Sequence, residues 1–122
     1  MTHPVEHQQA GVDTPVTLIN AFSVPLEQGE RFLERWQANA SFMARSPGLV
    51  RARMFRALSD RAEITFVNVA DWETGTALDA ARSNPEWRAS IQRLMDDPEL
   101  DVTPRPMVYE LAVDVRPVGK TA

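Results

Sequence analysis

Apolar and polar residues alternate along 15–24 and then change period. In Val16-Thr17-Leu18-Ile19-Asn20-Ala21-Phe22-Ser23-Val24 the alternation predicts a β-strand whose bulkier face carries Val16, Leu18, Phe22 and Val24. Beyond Pro25 the apolar spacing becomes three and four. Leu33, Trp36, Ala40 and Met43, flanked by Phe32, form one stripe, and Glu30, Arg31, Glu34 and Arg35 fall mostly on the other side. This predicts a helix with Ser23 as a candidate N-cap and Pro25 suited to its first turn. Glu27 and Glu30 sit near its positive end, and Pro47-Gly48 stops it.

Two further strands are predicted over about 49–58 and 63–71, joined by the polar tip Ser59-Asp60-Arg61. The second of them is apolar on both faces, which suits an inner strand covered on each side. Trp72-Glu73-Thr74 opens a second helical region. Ala77, Leu78 and Ala81 make its first stripe, Asn84-Pro85 breaks it, and Trp87, Ile91, Leu94 and Met95 make the next. Thr74 or Asp71 can cap the first piece, and Asn84 the second with Pro85 at its first turn. The acidic stretch 96–101 lacks the glycine of a calcium loop and is read as solvated. A last strand over about 106–115 places Met107, Tyr109, Leu111 and Val113 on one face.

The order β-α-β-β-α-β, with right-handed crossovers, predicts a ferredoxin-like α+β fold. Its four-stranded antiparallel sheet has strand order 4-1-3-2 and carries its helices on one face. The opposite face, with Ile19, Val67 and Val69, is then uncovered, which predicts a homodimer with sheets packed face to face.

A length of 122 residues argues for one domain over 14–116, with a polar tail over 1–13 and a C-terminal tail over 117–122. A net charge of −4 argues against nucleic acid or an anionic membrane as partner. No apolar run reaches membrane-span length, and the polar start lacks a signal-peptide pattern. The absence of cysteine removes disulfides, thiolate metal sites and a cysteine nucleophile, and fits a cytoplasmic setting. Both histidines, His3 and His7, lie in the tail, so no metal site is predicted. No phosphate loop, dinucleotide fingerprint or nucleophile elbow occurs, and a serine triad would lack its histidine.

Candidate chemistry rests on two misplaced amides. Asn20 shares its strand face with Val16, Leu18, Phe22 and Val24, and Asn68 shares its face with Ile64 and Phe66. A primary amide among such neighbours costs a few kcal/mol unless it finds partners, so each is either a satisfied structural amide or a ligand-facing group. The predicted strand order makes the two strands neighbours, so the amides either point into one cavity or satisfy one another. Arg51, Arg53 and Arg56 read either as an anion patch or as edge-strand charges that discourage further pairing, and the acidic balance of the chain favours the second.

Val16-Thr17-Leu18-Ile19-Asn20, the Ser46-Pro47-Gly48 turn, Phe66-Val67-Asn68-Val69-Ala70-Asp71-Trp72-Glu73 and Ser83-Asn84-Pro85-Glu86-Trp87-Arg88 together resemble the antibiotic biosynthesis monooxygenase superfamily over about residues 15–115. The resemblance implies a dimeric α+β barrel. It further implies either cofactor-independent oxygenation of electron-rich aromatic polyketides or haem degradation. Asn20 matches the first-strand asparagine that haem-degrading members place in their pocket. Those members also need a histidine on the second helix, and Trp87-Arg88-Ala89-Ser90-Ile91-Gln92 has none. Arg82 stands where similar relatives often carry histidine.

The leading expectation is therefore a monooxygenase without cofactor, acting on an aromatic small molecule with dioxygen. Asn20, Asn68 and Arg82 are its candidate catalytic residues. Phe22, Trp36, Phe66, Trp87 and Tyr109 are its candidate substrate contacts, Tyr109 also as a proton relay. The alternatives are a non-catalytic dimeric binding protein, a polyketide cyclase or isomerase, and, behind these, a haem-degrading monooxygenase.

Overall fold

The computed structural model describes residues 12–119. His3 and His7, and most of the expected N-terminal tail, lie outside the described residues. The chain runs β1 (Val16–Ser23), α1 (Gly29–Ala44), β2 (Leu49–Arg56), β3 (Phe66–Trp72), α2 (Gly75–Arg82), α3 (Pro85–Met95) and β4 (Thr103–Tyr109). A 3-10 turn, Leu26–Gln28, precedes α1. The sheet order β2-β3-β1-β4, antiparallel throughout, is the expected ferredoxin-like topology.

Alternation decides what each sheet face does. Val16, Leu18 and Phe22 of β1 and Phe66, Ala70 and Trp72 of β3 are buried under the helices. Around Leu18 they meet Met43, Leu78 and Trp87, and around Phe22 they meet Phe32 and Leu94. The Phe22–Phe32 and Phe32–Phe66 rings lie 5.0 and 4.9 Å apart. Such pairs add about 0.5–1.5 kcal/mol each to the burial of their area. The other face carries Ile19, Val67 and Val69, only partly buried, with Met107 and Tyr109 exposed beside them.

The break in the second helical region is local chemistry. The Thr74 hydroxyl accepts the Ala77 N–H and caps α2, while Asn84 Oδ1 accepts the Glu86 N–H and caps α3, with Pro85 in its first turn. At the Ser46-Pro47-Gly48 turn, Gly48 has φ +91°, and a Cβ there would lie 2.5 Å from the Ala77 methyl. Only glycine lets the strand enter this close to α2.

Several expectations are corrected. Ser23 closes β1 and caps nothing. Pro25 precedes the 3-10 turn, and α1 starts at Gly29 with no side-chain N-cap. Gln28 and Asp101 exchange hydrogen bonds of 2.7 and 3.2 Å there, tying the helix start to the α3–β4 loop. Trp72 ends β3 and does not open a helix. The hairpin strands are shorter than predicted, and β4 begins three residues early and stops at Tyr109, leaving Leu111 and Val113 outside any strand. Pro104 and Pro106 fit within β4 because it is an edge strand.

The acidic stretch is not uniformly solvated. The Asp97 side chain is fully buried between α1 and α3, accepting from Arg31 at 2.8 Å, Arg35 at 2.9 Å and the Glu99 N–H at 2.9 Å. The Glu99 N–H and then the two guanidinium groups hold its carboxyl down at about 2, against the opposing effect of burial.

Candidate active site

Between the sheet and the helices lies a cavity of about 250 Å³. Its floor is Leu18, Asn20 and Phe22 of β1 with Asn68 of β3. Its roof is Trp36, Asn39 and Met43 of α1, and its side wall is Trp87, Ile91, Leu94 and Met95 of α3. Arg82, at the end of α2, and Pro104 and Pro106 of β4 complete it. Ile91 and Met95 are 36 % and 38 % exposed although they line the cavity, so it opens to solvent along α3.

Asn20 and Asn68 are register partners across β1 and β3 and point to the same face. They do not satisfy one another. Asn20 Oδ1 accepts the backbone N–H of Arg105 at 3.1 Å, which only an oxygen can do, so its NH2 is the end left for a ligand. Asn68 Oδ1 is buried and has no hydrogen-bond partner among the described residues. Arg82 pairs with Asp79 at 3.2 Å and lines the cavity from there.

Six of the eight residues singled out from the sequence line this cavity: Asn20, Asn68, Arg82, Phe22, Trp36 and Trp87. Phe66 does not. It is packed against Phe32 in the core, under the start of α1. Tyr109 does not either. It stands opposite Thr17, on the helix-free face, and can neither contact a ligand in this cavity nor relay its proton.

Two polar residues escaped the sequence reading. Asn39 is 2 % exposed, lines the cavity, and its Oδ1 also lacks a partner among the described residues. Its signal was present: it falls three residues after Trp36 and four before Met43, on the buried stripe of α1. Trp72 buries an indole N–H that has no partner among the described residues, its ring 6.2 Å from that of Trp87.

A wider groove of about 450 Å³ lies on the far side of Trp87, along the Ser46-Pro47-Gly48 turn and α2. None of the unpartnered buried polar atoms lines it, and the inner cavity carries the stronger signature of a site. Among the described residues no cluster of histidine, cysteine, aspartate and glutamate is arranged to hold a metal ion, and no helix is long and apolar enough to cross a membrane.

Comparison with known proteins bears on the family and the fold. The family model described as antibiotic biosynthesis monooxygenase matches residues 15–93. A candidate monooxygenase from Shewanella loihica PV-4 superposes with TM-score 0.71 at 28 % identity, over 85 % of this chain and 100 % of that one. SnoaB, a cofactor-independent oxygenase from Streptomyces nogalater, gives 0.65 at 24 % identity, over 88 % and 99 % of the two chains. The haem degrader MhuD from Mycobacterium tuberculosis, with two haems in its active site, gives 0.61 at 24 % identity, over 83 % and 99 %. These last two likenesses establish the shared fold. No protein among the curated ones matches by sequence.

Proposed function

The chain belongs to the antibiotic biosynthesis monooxygenase family, and on that premise we propose that it is a cofactor-independent monooxygenase oxidising an electron-rich aromatic or phenolic small molecule with dioxygen. One observation carries this reading: side-chain amides converge on a cavity otherwise walled by Leu18, Phe22, Trp36, Met43 and Trp87. Apolar, aromatic walls suit a ring, and a few placed polar groups orient it.

A phenolate can itself reduce dioxygen. It gives up one electron, and the resulting radical pair combines at a ring carbon that bears hydrogen. Loss of water from the hydroperoxide then leaves a carbonyl, so that RH2 and O2 become RO and H2O. The protein's part is to exclude water and hold the developing negative charge. The Asn20 NH2 and the Asn68 amide hold the phenolate or peroxide oxygen. Arg82, although shared with Asp79, favours the ionised phenol through its charge.

The haem branch of the family fits these residues poorly. No histidine occurs in α2 or α3, and a cavity of about 250 Å³ is small for a porphyrin. The dimer belongs to the proposal as well. A second copy packed on the helix-free face would cover Ile19, Val67 and Val69 without touching the cavity floor.

The test is oxygen uptake with one- and two-ring dihydroquinone substrates, in the presence of a metal chelator. One dioxygen consumed per product formed is expected. Saturable binding without turnover would leave a non-catalytic binding protein, and turnover without oxygen uptake a cyclase or isomerase.

A further inference from the structure

The amide on α1 has no role in the chemistry above. Asn39 is 2 % exposed, no described residue donates to its Oδ1, and it faces the cavity from the helix wall, whereas Asn20 and Asn68 face it from the sheet. A buried amide that costs stability in the empty protein can be offset by a ligand that completes its hydrogen bonds. The apolar side chains around it on α1, Trp36 and Met43, offer it nothing. The ligand must therefore carry a polar group at each of two opposed edges, one for the sheet amides and one for Asn39. A hydroxyl satisfies a carboxamide in either orientation, since it both donates and accepts. Size limits the rest. About 250 Å³ lies below the usual range of about 300–1,000 Å³ for drug-sized ligands and suits one or two fused rings.

We infer that Asn39 is the specificity-determining residue of the cavity, and that the cavity selects a one- or two-ring aromatic with hydroxyl groups on opposite edges over the same ring with one hydroxyl. The inference rests on the cavity being the ligand site. One hydroxyl meets the Asn20 and Asn68 amides on the sheet, and the second meets the Asn39 amide on α1. A ligand lacking the second hydroxyl leaves Asn39 desolvated and unpaired, which is how a polar site rejects a near-isostere.

The experiment is titration calorimetry of the full chain under argon with 2,6-dihydroxynaphthalene and with 2-naphthol. The diol is expected to bind about 10-fold tighter. In Asn39→Leu, close to isosteric, that preference should fall to about parity through loss of diol affinity, with 2-naphthol binding retained. Asn39→Ala, which also removes the amide, should likewise bring the preference to about parity, and it decides the matter if the leucine variant does not fold. Equal binding of both compounds to the unaltered protein overturns the role of Asn39 and leaves the site standing. A diol preference that survives in Asn39→Leu does the same. Binding of neither compound removes the site, and the inference with it.

Discussion

Asn20 and Asn68 stand directly opposite each other across the β1–β3 ladder, yet only one of them is spoken for. Asn20 Oδ1 holds the Arg105 N–H, while Asn68 Oδ1 holds nothing among the described residues. Substitution should therefore separate them. Asn68→Leu leaves no partner behind and should keep or raise the melting temperature, while turnover falls by roughly 10²-fold as one preorganised donor is lost. Asn20→Ala should lower turnover similarly and also cost about 1 kcal/mol, because a backbone N–H loses its acceptor. Thermal denaturation run beside steady-state kinetics checks both. A destabilised Asn68→Leu with unchanged turnover would make Asn68 a structural amide.

Asp97 gives the fold an acid-sensitive clasp. Its carboxyl sits at about 2 in the folded chain against an ordinary 3.8, so between those values the unfolded chain binds more protons. Stability from this group is complete above about pH 4 and declines as the pH falls toward 2. In urea titrations from pH 6 to pH 2, the gap between the wild type and Asp97→Asn should be widest at the neutral end and close on acidification. A gap independent of pH would show that Asp97 contributes no charge pairing.

Gly48→Ala should be strongly destabilising for two separable reasons. The positive φ costs about 1–2 kcal/mol for an L-residue, and the new methyl meets Ala77 at 2.5 Å. In an Ala77→Gly background, which carries its own helix-interior glycine cost, Gly48→Ala should lose only the conformational part. No loss on Gly48→Ala in that background would mean that the left-handed backbone carries no cost.

Sedimentation equilibrium at micromolar concentration should show a dimer, and Val67→Lys should yield a folded monomer. Val67 lies on the central strand of the helix-free face, where Met107 is 42 % exposed in the single chain. A monomeric wild type would leave that face unexplained.

What the sequence made legible was local. A period of two against a period near 3.6, the hydroxyl of Thr74 and the Asn84-Pro85 pair are each read within a few residues, and together they place the strands, the caps and the break between α2 and α3. The amide at position 20 stood out because it interrupts a short apolar face. Parity between distant strands was not legible. Register sets Asn20 against Pro106, and this turns Tyr109 to the face away from the cavity. Asp97 looked solvated because its partners, Arg31 and Arg35, arrive from a helix more than sixty residues earlier. Phe66 shares a face with Asn68, yet the site ends between them, because Phe32 of α1 covers the ring. Asn39 was hidden by its surroundings, since one polar residue in a helix draws less notice than one in a strand.

The opening along α3 has an evolutionary consequence. Ile91 and Met95 shape the cavity without belonging to the core, so exchanging them alters what the site admits while costing the fold little. The residues that hold the helices to the sheet, Phe32, Trp72 and Leu78 among them, are a different set. A lineage can therefore change its ligands at these positions one at a time, each intermediate remaining folded.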